Sequence, residues 1–197
     1  THRVNTREEL VTILGEEIVD TYQIIQNDSS DSSTHTLIGT TSRGNEIRLL
    51  SRFLACDLKI LTGFIEPHFF AGFSGGGKAV MPGLAELPTI QMNHGAAHID
   101  HSHARWGITE GNPIWEDIHE AVDMVENTFL LNVAMNSDKQ ITQVFAGDMR
   151  KAHAQGVSYV RDHAMAGVDK LYDLVITSNS GYPLDLNMYQ AVKGMSA

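Results

Sequence analysis

The sequence predicts an α/β protein with mixed or mostly parallel sheets flanked by helices. Apolar-rich runs at 58–65, 128–135 and 174–177 alternate with helical patterns at 113–125, 148–165 and 185–193. That order layers helices against a sheet. A glycine-rich loop, Gly72-Phe73-Ser74-Gly75-Gly76-Gly77-Lys78, follows the first run. Strand-to-glycine-loop junctions are where α/β proteins hold ligands. Hydrophobic residues make up 42% of the 197 positions, enough for a core.

Taken in order, Thr6-Arg7-Glu8-Glu9 forms a capping box. It opens an amphipathic helix with Leu10, Ile13, Leu14 and Ile18 on one side. A short strand is expected at 22–25 and a Ser/Asp-rich loop at 27–34. Segments 36–40 and 46–50 read as a hairpin around Ser42-Arg43-Gly44-Asn45. The run at 58–65 reads as a buried strand. Helix is expected within 78–92, interrupted at Pro82-Gly83, and irregular structure over 93–112. Pro113-Ile114 opens the next helix, with Glu116, Asp117 and Glu120 near its first turns. Strands at 128–135 and 140–146 precede a helix at 148–165. Gly167-Val168-Asp169 reads as a hinge, followed by a strand at 174–177 and a helix at 185–193.

Charge and composition exclude several functions. The 14 Lys and Arg against 24 Asp and Glu leave a formal charge of −10, which argues against a nucleic-acid surface. No apolar run is long enough for a membrane span, and no leader peptide is visible. Cys56, the single cysteine, reads as a buried small hydrophobe in a reducing compartment. A cytoplasmic location is therefore expected. The chain begins Thr1-His2-Arg3 and stops just after a helical pattern, so it reads as part of a longer protein.

The chemistry concentrates around the glycine loop. Gly72 to Ala79 comes within one residue of a phosphate-binding P-loop, but Ala79 stands where Ser or Thr must hold Mg²⁺. A nucleotide- or phosphate-binding protein is one alternative. His68 follows Glu66-Pro67 at a strand end. Proline restricts the residue before it, giving the histidine a defined position suited to acid–base work. His94, His98, His101 and His103 cluster downstream, and imidazole suits zinc, nickel or copper. A zinc hydrolase using His94–His103 is a second alternative, against solvated loop histidines. Near the end, Gln190 and Lys193 share a helix face after Ser180-Gly181-Tyr182-Pro183-Leu184-Asp185.

Together these motifs resemble the nickel-pincer-dependent lactate racemase family. The resemblance rests on Thr1-His2-Arg3, the stretch Glu66-Pro67-His68-Phe69-Phe70-Ala71-Gly72-Phe73-Ser74-Gly75-Gly76-Gly77-Lys78, Asn93-His94-Gly95, Ser180 to Asp185, and Tyr189-Gln190-Ala191-Val192-Lys193-Gly194. It runs over nearly the whole chain. It implies an isomerase, a racemase or epimerase inverting C2 of a 2-hydroxy acid. The implied cofactor is a nickel-pincer nucleotide, a pyridinium mononucleotide whose two sulfur arms grip nickel. The implied reaction passes a hydride from C2 to the pyridinium and back.

By motif match, Lys78 tethers that cofactor as a thioamide, beside Gly75, Gly76 and Gly77. His94 supplies the remaining nickel ligand. His2 and His68 are the alternating acid and base, and Tyr189, Gln190 and Lys193 lie near substrate. Partners are a small 2-hydroxy acid and the cofactor-making proteins, with no nucleic acid or membrane. Residues 1–166 fall in the cofactor domain, and 167–197 form the hinge and start of a second domain. The family carries further residues before Thr1 and after Ala197, so this stretch alone is not expected to be a competent enzyme.

Overall fold

In the computed structural model, which describes residues 3–177 and 192–193, the expected capping box closes. Thr6 accepts the Glu9 N–H and Glu9 accepts the Thr6 N–H at the start of α1 (Arg7–Leu14). The helix does not continue to Ile18. Gly15, at φ 87° and ψ 151°, stops it, and α2 (Glu16–Thr21) starts afresh. Neither helix buries a residue, and Ile13 is 64% exposed. The expected strand at 22–25 has no regular structure. The polar loop after it is tied down: Asn27 meets the His35 ring and donates to the Ala85 carbonyl.

β1 (His35–Thr40) and β2 (Glu46–Leu50) form the expected antiparallel hairpin, but as a separate two-stranded sheet. Ile47 and Leu49 anchor it in the core with no exposed surface. After α3 (Ser51–Leu54), Cys56 is exposed rather than buried. It lies in the turn entering β3 (Lys59–Phe64), outside the packed layer.

A small ribbon, β4 (Pro67–His68) with β5 (Gly72–Phe73), separates β3 from the glycine loop. The loop then tightens into a 3-10 turn, Gly76–Ala79. Short helices α4 (Leu87–Asn93) and α5 (Ala96–Ile99) punctuate the next, largely irregular stretch. α6 (Pro113–Asp123) begins where expected: Asn112 caps the Ile114 and Trp115 N–H groups, and Pro113 occupies the first turn. β6 (Thr128–Met135), β7 (Ile141–Asp148) and α7 (Met149–Ala164) complete the regular elements. The apolar run at 174–177 forms no strand, and Ile176 is 90% exposed.

The main sheet has the order β3-β6-β7, parallel between the first pair and antiparallel between the second. α7 packs on it. Gly156 of α7 permits close approach, because a Cβ there would lie 2.2 Å from Ile65 Cδ1 and 3.1 Å from the Phe145 ring. The expectation of a buried strand holds for one face only. Leu61 is buried, whereas Ile60 and Phe64 on the other face are exposed. Among the described residues, no helix is long and apolar enough to cross a membrane.

Behind the glycine loop, Trp115 stacks against two buried histidines, His119 at 4.2 Å and His153 at 5.1 Å between ring centroids. Burial pushes His119 down to about 4 and lowers His153. Both are neutral in the folded chain at pH 7 and become protonated more readily on unfolding. The contribution of His119 to stability is complete above the unfolded value near 6.5 and is lost as pH falls toward 4; that of His153 is lost in the same direction. For His119 the loss should be about 3 kcal/mol at full protonation. Urea midpoints at pH 7 and pH 4.5 measure it, and His119→Phe should flatten the difference. An unchanged pH dependence in that variant would refute the assignment.

Candidate active site

The site is organised around one aromatic ring. Phe70, 5% exposed, sits at the tip between β4 and β5. The His68 ring meets it edge-on at 4.5 Å, and the His94 ring meets it edge-on at 5.0 Å. Lys78 Nζ lies 5.7 Å from its centroid. Residues separated by up to 26 positions in sequence (68 to 94) thus converge on a single apolar surface.

Each side chain is held by its own local device. Glu66 and Ser74 close the ribbon: the Ser74 N–H donates to the Glu66 carbonyl, and the Glu66 N–H donates to Ser74 Oγ. His68 Nδ1 accepts the Ala71 N–H at 3.2 Å and, more weakly, that of Phe70 at 3.5 Å. A neutral ring accepting at Nδ1 carries its proton on Nε2. Phe69 stacks on the other side of the ring at 5.0 Å. Burial, then the positive charge of Lys78, then His94 and Lys193, drive His68 down to about 3.

Lys78 leaves the 3-10 turn with its N–H bonded to the Gly75 carbonyl. Burial lowers its ammonium to about 8, against the pull of Glu66 and with a push from Lys193. A lysine so placed is substantially a free amine near pH 8, the nucleophilic form. Desolvation raises the Glu66 carboxyl, opposed by the charges of Lys193 and Lys78.

His94 ends α4, its N–H bonded to the Ile90 carbonyl. Burial, then the Lys78 charge, lowers it to about 4. Its buried Nδ1 has no hydrogen-bond partner among the described residues. A neutral imidazole with a free buried nitrogen is the form that ligates a metal. The donor set therefore fits the implied nickel group: a free nitrogen on His94, a desolvated amine on Lys78, and glycines between them and the sheet. The preceding residue, Asn93, is fixed from below by donating to Asp117 at 2.8 Å and to the Ile114 carbonyl.

The remaining expectations separate. Lys193 belongs to the site electrostatically, its charge being felt by Glu66, His68 and Lys78. His2, Tyr189 and Gln190 lie outside the described residues. His98 bonds the Asn93 carbonyl, while His101 and His103 face each other at 5.6 Å. Among the described residues, no group of three histidine, cysteine or acidic side chains could hold a metal ion by itself. A zinc site at His94–His103 therefore has no support. The phosphate-cradle reading weakens too: Gly76 and Gly77 are buried, and the Gly76 N–H is taken by Asn132 Oδ1 at 2.8 Å.

Sequence reasoning missed Phe70 as the hub, and missed Asn93, Asp117, Asn132 and His153 as supports. Phe70, inside the central motif, and Asn93, inside Asn93-His94-Gly95, carried a signal; Asp117, Asn132 and His153 did not. A cleft of about 550 Å³ opens beside the hub between Phe69, Ile99, Arg105, Trp106 and Val192.

Comparison with known proteins gives the context for this geometry. Residues 1–107 match the family described as lactate racemase N-terminal domain. Residues 168–197 match the family described as lactate racemase C-terminal domain. The chain is 43% identical to the lactate racemase of Thermoanaerobacterium thermosaccharolyticum over 196 residues, covering 100% of this chain and 46% of that protein. The figures for the lactate racemase of Lactiplantibacillus plantarum are 43% over 197 residues, with the same coverage of 100% and 46%. The chain thus spans about half the length of the curated relatives it matches. The solved structure of the Thermoanaerobacterium thermosaccharolyticum apoprotein superposes with a TM-score of 0.94, at 43% identity, over 99% of this chain and 46% of that one. A crystal structure of a Thermotoga maritima protein gives a TM-score of 0.66 at 22% identity, over 82% of this chain and 44% of that one, a likeness of fold.

Proposed function

Because the chain belongs to the lactate racemase family, we propose that the complete protein is an isomerase that inverts C2 of a 2-hydroxy acid, with lactate the first substrate to test. The observation that carries this reading is the convergence of His68, Lys78 and His94 on the buried Phe70 ring.

Lys78 is the proposed covalent tether of a nickel-pincer nucleotide, and His94 the proposed protein ligand to its nickel. When bound, that group supplies reversible acceptance of a hydride from C2, and the protein orients the reacting centre. His68 holds and moves the hydroxyl proton at Nε2. The bonds at Nδ1 leave the hydrogen on Nε2, where it would be donated to a keto or alkoxide oxygen. To act as base at Nε2 the ring must carry its proton on Nδ1, which means giving up the bonds to Ala71 and Phe70. The Phe70 bond is long at 3.5 Å, but the Ala71 bond is of ordinary length at 3.2 Å, so the exchange costs on the order of 1–3 kcal/mol unless Ala71 finds another acceptor.

Tethering also alters His68. An acylated Lys78 has no charge, which removes the second-largest cause of the depressed His68 value and brings the ring closer to working pH. His2, by motif match, is the partner histidine on the opposite side of C2. Two such groups give the symmetry that racemisation needs. Lys193, with Tyr189 and Gln190 by motif match, steers the carboxylate or keto oxygens. Residues 167–197 are read as the hinge and beginning of a second domain, and the protein as cytoplasmic.

The test is intact-mass and metal analysis of the complete protein produced with its cofactor-making enzymes, then a chiral assay on a panel of 2-hydroxy acids. A mass increment mapped to Lys78, about one nickel per chain and interconversion of lactate enantiomers are expected. An active preparation with unmodified Lys78 would overturn the tether. Loss of nickel in His94→Ala, with the increment on Lys78 retained, would support the ligand assignment.

A further inference from the structure

Two buried polar side chains grip the glycine loop from opposite sides, and neither has a part in the chemistry above. Asn132, on β6, has no exposed surface. Its Oδ1 accepts the Gly76 N–H at 2.8 Å, and its Nδ2 donates to the Leu61 carbonyl at 3.4 Å. A Cβ on Gly75 would lie 2.6 Å from that Oδ1. His153, on α7, is 1% exposed. Its Nε2–H donates to the Ser74 carbonyl at 3.0 Å, the sense fixed because a carbonyl can only accept. A Cβ on Gly76 would lie 2.1 Å from its Nδ1. Trp115 and His119 stack behind the imidazole at 5.1 and 5.8 Å.

Burying an amide and an imidazole costs free energy that an apolar residue would not. The return is conformational. Gly75 at φ 73° and Gly76 at φ 55° sit in the left-handed region, a backbone that glycine adopts but does not prefer. Fixing Ser74 from the helix side and Gly76 from the sheet side removes the alternatives. Lys78 follows two residues later, its N–H closing on the Gly75 carbonyl.

We propose that Asn132 and His153 are positioning residues that clamp the glycine loop and aim Lys78 at Phe70, so that the tether can form. The proposal rests on the reading of Lys78 as the covalent attachment point. It assigns the clamp to hydrogen bonds, not to packing volume, and the two are separable. His153→Phe keeps a ring of similar size but loses the donor to Ser74. His153→Gln restores an N–H at the same reach. Asn132→Ala removes the acceptor for Gly76.

The complete protein and these variants would be produced with the cofactor-making enzymes, and the modified fraction of Lys78 read by intact mass beside each melting temperature. The apoproteins would be treated with limiting acetic anhydride and Lys78 acetylation compared with that of exposed lysines. We expect His153→Phe and Asn132→Ala each to lower modification of Lys78 about tenfold, the effect of one lost buried hydrogen bond, with His153→Gln within about threefold of the parent. The acetylation of Lys78 relative to exposed lysines should change in the Phe variant and not in the Gln variant. Equal loading and equal acetylation in the Phe and Gln variants would overturn the clamp. So would losses that track melting temperature alone. If the parent protein itself gains no mass at Lys78, the tether reading falls, and the clamp is then decided by the acetylation comparison.

Discussion

Replacing His68 by alanine in the complete, cofactor-loaded protein is expected to lower kcat for racemisation by ~10²–10⁴-fold, the range for loss of a positioned acid–base group. KM should change little, because in the proposed role the ring acts only at the oxygen whose proton moves and supplies little ground-state binding. Loading should persist. Lys78 leaves from a different element, and the loop that presents it is bonded to Asn132 and His153, not to the His68 side chain. Phe70 should stay in place, since the ribbon is closed through Glu66 and Ser74. Steady-state chiral assays in both directions, with intact mass as a control, measure this. Loss of the Lys78 increment in His68→Ala would move the residue from proton transfer to cofactor binding. An unchanged kcat would remove it from the mechanism.

The Asp117→Ala variant should show the largest loss of stability. Asp117 has no exposed surface. Its carboxylate accepts from Thr41 Oγ1 at 2.6 Å, Asn45 Nδ2 at 2.8 Å and Asn93 Nδ2 at 2.8 Å. Alanine leaves three donors facing a void. With ~1–3 kcal/mol for each orphaned buried group and partial relaxation, we expect about 4 kcal/mol or more of destabilisation. Asp117→Asn should fall between, because one acceptor remains while its amide faces other donors. Urea unfolding measures both. Asn93 is the residue before His94, so the alanine variant should also bind nickel more weakly once loaded. A change below about 1 kcal/mol would mean that water replaces the carboxylate.

Those two residues differ in how far they could be read in advance. His68 stands in a long motif, behind a proline and ahead of a glycine loop, and its neighbours in sequence are its neighbours in space. Asp117 looks like an ordinary acidic residue in the first turns of α6. Only the packing of the turn between β1 and β2 and of α4 around it turns it into a buried hub. Asn132 and His153 are similar. Nothing in the pattern of a strand or a helix marks one polar residue among apolar ones as the grip on a loop more than 50 residues away in sequence. The helices expected at 113–125 and 148–165 formed because cap, periodicity and length agreed locally. The helix expected to include Ile18 broke because Gly15 adopts a backbone that no periodicity reports. The run at 174–177 has strand composition but forms no strand among the described residues.

The sequence by itself determined most element types, though not the strands expected at 22–25 and 174–177, and with them the central motif and the family, because local propensity and a long contiguous motif are written in adjacent residues. It also supplied the candidate chemistry, an acid–base histidine, an amine and a metal-ligating imidazole. Tertiary structure decided their protonation, since burial beside Phe70 and mutual charge make Lys78 a weaker base and keep His68 and His94 neutral. It also decided what holds the loop. Desolvation and hydrogen bonding depend on what lies across the fold, and that is fixed only when strands and helices far apart in sequence are packed together.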